Sequence, residues 1–157
     1  MIVTTSPARI DIGTRHPDLY ATVGSMAQLA EQAALGEGLS PLLIELVKIR
    51  VSQINGCAYC LRIHSADSLA KGEGPERLSV LSAWKETRYF DAQEQAGLAL
   101  AEYATRISDS HSNKGLYEFV AGQLSAGQVS AVIWVAMAIN AFNRIAISSS
   151  YKVAPAK

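Results

Sequence analysis

Apolar residues recur at helical spacing through most of the chain. Between Pro17 and Leu35 they fall at Leu19, Val23, Met26, Leu29, Ala30 and Ala33, and Gly36 and Gly38 stop the run. From Pro41 to about Ile54, Leu42, Leu43, Ile44, Leu46, Val47, Ile49 and Val51 leave almost no polar face, which predicts a buried helix. Asn55-Gly56 breaks it. A third helix is predicted from about Cys57 to Lys71, stopped by Gly72, and a fourth from Pro75 to about Thr87. A fifth begins near Asp91 and carries Ala96, Leu98, Ala99, Leu100 and Tyr103. A sixth covers roughly Lys114 to Leu124, and the last runs from Ser125 or Gly127 to about Ile147. Pro17, Pro41 and Pro75 each open one of these stretches, where a missing N–H costs nothing, and Ser40 is a good N-cap. Weak alternation at Ile10-Asp11-Ile12 is the sole strand signal. The pattern predicts an all-α, single-domain bundle of about seven helices spanning residues 1–157.

Composition narrows the class. A chain of 157 residues can bury a core without covalent staples. Apolar residues make up 49% and charged residues only 18%, which fits a subunit that hides part of its surface in an oligomer. Fourteen basic residues balance fourteen acidic ones, and no segment concentrates Lys and Arg, so no nucleic-acid partner is expected. The first residues, MIVTTSPARIDIG, do not read as a secretory signal. The longest unbroken apolar run, Ala131 to Ile139, is far short of the roughly 18 residues of a membrane span. A cytoplasmic protein with no membrane partner is expected.

The two cysteines, Cys57 and Cys60, form a C-x-x-C pair, and in a chain of this kind they point to redox or metal chemistry. Cys57, Cys60 and His64 stand at i, i+3 and i+7, on one helical face. A thiol reacts as its thiolate, which a neighbouring His and a helix N-terminus both favour. Glu45 lies inside the most apolar helix, where a carboxylate needs a partner, and His64 on the next helix would complete a Glu–His–Cys relay. Competing readings are a pair of buried apolar cysteines, a zinc site of Cys57, Cys60, His64 and Glu45, and a Glu45 on a solvated face. His16 reads as a residue at a helix start and His111 as a loop residue. The aromatic run from Trp134 to Phe142 reads as core or subunit interface.

Glu45, eleven residues, Cys57-Ala-Tyr-Cys60, three residues and His64 together resemble the E-x11-C-x-x-C-x3-H signature of alkylhydroperoxidase D-like proteins, in the carboxymuconolactone decarboxylase superfamily. Leu46 to Gly56, Leu81 to Thr87 and Ile139 to Ile145 are also similar to that family, so the resemblance spans roughly residues 9 to 147. It implies an all-helical fold, a trimer or hexamer, and thiol-dependent reduction of hydroperoxides in antioxidant defence. It further implies Cys60 as the attacking thiol, Cys57 as the resolving one, and His64 with Glu45 as the proton relay. Helix-dipole reasoning alone favours Cys57 as attacker, being nearer the helix start. The sequence departs from the family in two places. Tyr59 stands where the family's namesake has His, and the chain end from Ile147 to Val153 is more polar than the family's. Decarboxylases of the superfamily lack the cysteine pair. No nucleotide-binding fingerprint occurs, so no bound cofactor is expected and electrons must come from a dithiol partner. The resemblance implies a dihydrolipoyl- or thioredoxin-like protein. The alternative function is a disulfide reductase or electron-transfer adaptor, or a redox-sensing protein.

Overall fold

The structure, a computed structural model, describes residues 8–109, 111 and 113–155. Eight α-helices follow one another among these residues: α1 (Ile12–Arg15), α2 (Pro17–Gly36), α3 (Pro41–Asn55), α4 (Ala58–Ala70), α5 (Pro75–Val80), α6 (Ala92–Thr105), α7 (Lys114–Ala121) and α8 (Ala126–Ser148). No strand occurs among the described residues. The helix starts follow from local chemistry. Ser40 accepts from the Leu43 N–H ahead of Pro41, and capping boxes start α6 (Asp91 with Glu94) and α8 (Ser125 with Gln128).

Helix α3 is the central strut, packed by α4, α6 and α8, with α2 lying on α8. Its near-continuous apolar sequence is explained by that position: Leu43, Ile44, Leu46, Val47, Ile49 and Val51 are all buried. Gly97 of α6 allows close approach, because a Cβ there would meet Leu43 Cδ1 at 2.9 Å. Helix α8 is long and apolar enough to cross a membrane, yet Val132, Val135, Ala136 and Ile139 belong to the core formed with α2, α3, α4 and α6.

Two local expectations are corrected, and the exposure of one predicted helix is added. The alternation at Ile10-Asp11-Ile12 is a helix start: Asp11 accepts from the N–H groups of Gly13 and Thr14 and caps α1. The fourth helix does not run unbroken to Thr87. It ends at Val80 and continues as a 3-10 segment, Leu81–Glu86, with Ala83 off helical geometry. The apolar positions of α2 are mostly outside: Leu19 and Leu29 are each 66% exposed, and its buried residues are Ala30 and Ala34. His16 stands at the start of α2 and His111 in an exposed turn, as expected.

Candidate active site

The site begins with a chain reversal. Helix α3 ends at Asn55, and Gly56 takes the left-handed conformation (φ +68°) that disfavours any residue with a Cβ. Cys57 follows as the N-cap of α4, its sulfur accepting from the Cys60 N–H at 3.4 Å. The two sulfurs are 2.9 Å apart, and both thiols are free. Both cysteines are buried, but they face differently. Cys60 opens onto a cavity of about 380 Å3, and Cys57 does not line it. The cavity wall is chiefly hydrocarbon and aromatic, from Ile63, Ile139, Phe142, Tyr20 and Tyr151, and His64 stands on it beside Cys60.

Glu45 is 1% exposed and has three cationic or cationisable neighbours. Its Oε2 faces His64 Nδ1 at 3.1 Å; its Oε1 accepts from Lys71 Nζ at 2.6 Å and Lys48 Nζ at 3.1 Å. Lys48 is in turn bonded to Glu31 at 2.7 Å. Burial alone would push the Glu45 carboxyl up. The hydrogen bonds from His64 and Lys71 and the charge of Lys48 outweigh it and bring the group down to about 2. Glu45 is therefore a permanent anion. A neutral His64 must place its proton on Nδ1 to donate to it, which leaves Nε2 as a lone-pair acceptor. The reading of Glu45 as a solvated surface residue is thus excluded.

The Cys60 thiol is pushed up, chiefly by burial and by its hydrogen bond with Cys57, against a downward pull from the side chain of Asn143. Burial thus opposes the thiolate that the helix N-terminus favours. The hydrogen bond of the Cys60 side chain runs to Cys57, and that of the imidazole runs to Glu45. Both Cys60 and His64 line the cavity.

A zinc site of Cys57, Cys60, His64 and Glu45 does not match this geometry. Two thiolates bound to tetrahedral zinc at about 2.3 Å lie roughly 3.8 Å apart, well beyond the 2.9 Å seen. Glu45, His64 and Asp67 present ligand atoms within 4.8 Å of one another, but a divalent cation there would confront the two ammonium groups already on Glu45.

Several neighbours of the site were not anticipated. Lys48 and Lys71 carried a usable signal, three residues after Glu45 and seven after His64, on the faces that carry the relay. Tyr151 had none, since it comes from the polar chain end; it stacks edge-on against Tyr59 at 5.1 Å. Tyr59 is 37% exposed.

Comparison with known proteins places this geometry among relatives. The sequence profile of the carboxymuconolactone decarboxylase family matches residues 17–103. The uncharacterized protein YdfG of Bacillus subtilis (strain 168) is 36% identical over 110 residues, covering 70% of this chain and 75% of that protein. Among solved structures, ATU0492 from Agrobacterium tumefaciens superposes with a TM-score of 0.83 at 26% identity, covering 96% of this chain and all of that one. It is a protein of unknown function suggested to be the antioxidant defence protein AhpD. The debrominase Bmp8 superposes at 0.76 with 17% identity, over 90% of this chain and 74% of its own, a likeness of fold alone.

Proposed function

The chain belongs to the carboxymuconolactone decarboxylase family, and from that premise we propose that it is a thiol-dependent alkyl hydroperoxide reductase with an antioxidant role. Cys60 is the attacking thiol and Cys57 the resolving one. The observation that carries this reading is the cysteine pair: two free sulfurs 2.9 Å apart, of which only Cys60 lines the cavity. Position thus favours Cys60 over the helix-dipole choice of Cys57.

Nε2 of His64 takes the Cys60 proton as the peroxide is engaged. The thiolate attacks the terminal peroxide oxygen, the O–O bond breaks, and Cys60 becomes a sulfenic acid while RO⁻ departs. RO⁻ takes the proton from the imidazolium and leaves as ROH. Glu45, held ionised, steadies the imidazolium and fixes its orientation without changing its own protonation. Cys57 then attacks the sulfenic sulfur; the disulfide forms and the oxygen leaves as water. Two electrons and two protons from an external dithiol, a dihydrolipoyl- or thioredoxin-like protein, restore both thiols.

The hydrocarbon wall of the cavity favours a peroxide with an apolar body over hydrogen peroxide, since burial of that body supplies binding. Exposed Leu19, Leu29, Trp134 and Met137 on α2 and α8 support assembly into a homo-oligomer, a trimer or hexamer.

Stopped-flow oxidation of the reduced protein by cumene hydroperoxide, hydrogen peroxide and a small disulfide tests the proposal. The organic peroxide should react fastest. Rapid exchange with the disulfide and no reaction with either peroxide would replace the peroxidase by a disulfide reductase or adaptor.

A further inference from the structure

The cavity over Cys60 has a defined charge pattern. Among the described residues that line it, Glu31 of α2, Lys48 of α3 and Asp67 of α4 carry full charges. The Lys48 side chain is only 14% exposed and its ammonium is already committed: Nζ donates to Glu31 Oε2 at 2.7 Å and to Glu45 Oε1 at 3.1 Å. Any charge that His64 takes up lies against Glu45 at 3.1 Å and Asp67 at 3.8 Å. Behind the wall, Lys71 answers Glu45 at 2.6 Å and does not line the cavity. Three carboxylates, on Glu31, Glu45 and Asp67, thus stand against the two ammonium groups of Lys48 and Lys71. Aromatic rings make up much of the remaining wall. Tyr20 packs edge-on against Phe142 at 5.8 Å and Tyr59 against Tyr151 at 5.1 Å, and all four rings line the cavity.

We propose that this cavity takes uncharged hydroperoxides and turns away those that carry a carboxylate, such as fatty-acid hydroperoxides, and that Glu31 sets the selection by neutralising Lys48. The inference rests on Cys60 being the reacting thiol. A carboxylate entering a site walled by hydrocarbon sheds water and needs a cation in exchange. Lys48 can answer it only by giving up Glu31 or Glu45. Glu45, 1% exposed, is held by Lys71 and His64 as well. Glu31, with a side chain 37% exposed, is the partner free to swing away, but its charge stays at the cavity edge. The incoming anion would then share one ammonium with Glu45, while Glu31, Asp67 and the Cys60 thiolate repel it. An uncharged body meets none of this and keeps its contacts with the ring pairs and with Ile63 and Ile139. Glu31→Gln keeps the shape of the side chain, removes its charge and unmasks Lys48, so the same lysine becomes a seat for a carboxylate.

The test uses two alkylating agents of nearly equal size that differ in charge, neutral iodoacetamide and anionic iodoacetate. In each reaction the thiolate forms a carbon–sulfur bond and expels iodide. The full chain is used in a Cys57→Ser background, which leaves Cys60 as its one thiol. The ratio of the two rates at low ionic strength is compared with the ratio for 2-mercaptoethanol, which measures the intrinsic difference between the reagents. Cys60 should prefer the neutral reagent by roughly tenfold more than 2-mercaptoethanol does, and Glu31→Gln should shrink that excess by at least about threefold. Glu118→Gln, which removes the same charge from α7, should leave it in place. A ratio at Cys60 equal to that of 2-mercaptoethanol overturns the inference and needs no further variant to fold. So does a ratio unmoved by Glu31→Gln, or moved equally by Glu118→Gln. Absence of alkylation by either reagent would remove Cys60 as the reacting thiol and the inference with it. Alkylation needs no peroxide, so a protein that shows this preference yet spares cumene hydroperoxide would lose the peroxidase reading alone.

Discussion

Glu45→Gln separates a fixed anion from a proton carrier. The carboxyl falls from an ordinary value of 4.5 to about 2 on folding. At 1.36 kcal/mol per unit this is on the order of 3 kcal/mol in favour of the ionised form. Glutamine imitates the neutral acid, so that difference sets the scale of its cost near neutral pH. Some is recovered because Lys48 keeps Glu31 and the Lys71 side chain, 36% exposed, can turn to water. We expect a loss of about 2–3 kcal/mol, hence a melting temperature lower by roughly 4–12 °C. The sign of the pH dependence is set by the depressed value. The contribution is present in full above the unfolded value near 4.5 and is lost as pH falls toward about 2. Urea unfolding from pH 7 to pH 2.5 is the assay. Stability of the native protein should fall more steeply than that of Glu45→Gln below about pH 4.5, and the two curves should converge near the acid end. Parallel curves over that range would refute the assignment of Glu45 as a permanent anion clamped by Lys48, Lys71 and His64.

Other outcomes follow from the same geometry. His64→Ala should slow peroxide oxidation of Cys60 by roughly 10²–10⁴-fold, the contribution of a general base, whereas Tyr59→Phe, its ring stacked on Tyr151, should have a small effect. Equal damage in the two variants, measured as rate against pH, would place the phenol in the chemistry. Mild peroxide should remove two hydrogens from the native protein, read by mass spectrometry; Cys57→Ser should instead leave a sulfenic acid on Cys60 that dimedone traps, and trapping in Cys60→Ser alone would reverse the roles. Gly56→Ala, forced into a left-handed conformation, should cost about 1 kcal/mol in chemical unfolding. Light scattering should give a mass of at least three subunits of 16.8 kDa, and a monomer at micromolar concentration would sink the assembly proposal.

The helices were legible because their signals are local. Pro17, Ser40-Pro41, Asn55-Gly56, Asp91 and Ser125 act on backbone groups within a few residues, and the observed caps fall where those residues stand. The core of the site was legible for the same reason: one helix and its N-cap carry Cys57, Cys60 and His64, and a charge in the apolar run of α3 had to be met by a partner, as Glu45 is. Solvent exposure followed no such local rule. The apolar spacing of α2 is real, yet Leu19 and Leu29 face outward, because periodicity specifies a stripe and not what covers it. Nor could spacing reveal that burial would raise the Cys60 thiol against the pull of its helix N-terminus, since desolvation depends on everything packed around the sulfur. Ile139, Phe142 and Tyr151 reach the Cys60 cavity from the far end of the chain. They arrive there because α8 packs on α3 and α4, and contacts between residues so distant in sequence exist only once the helices have docked.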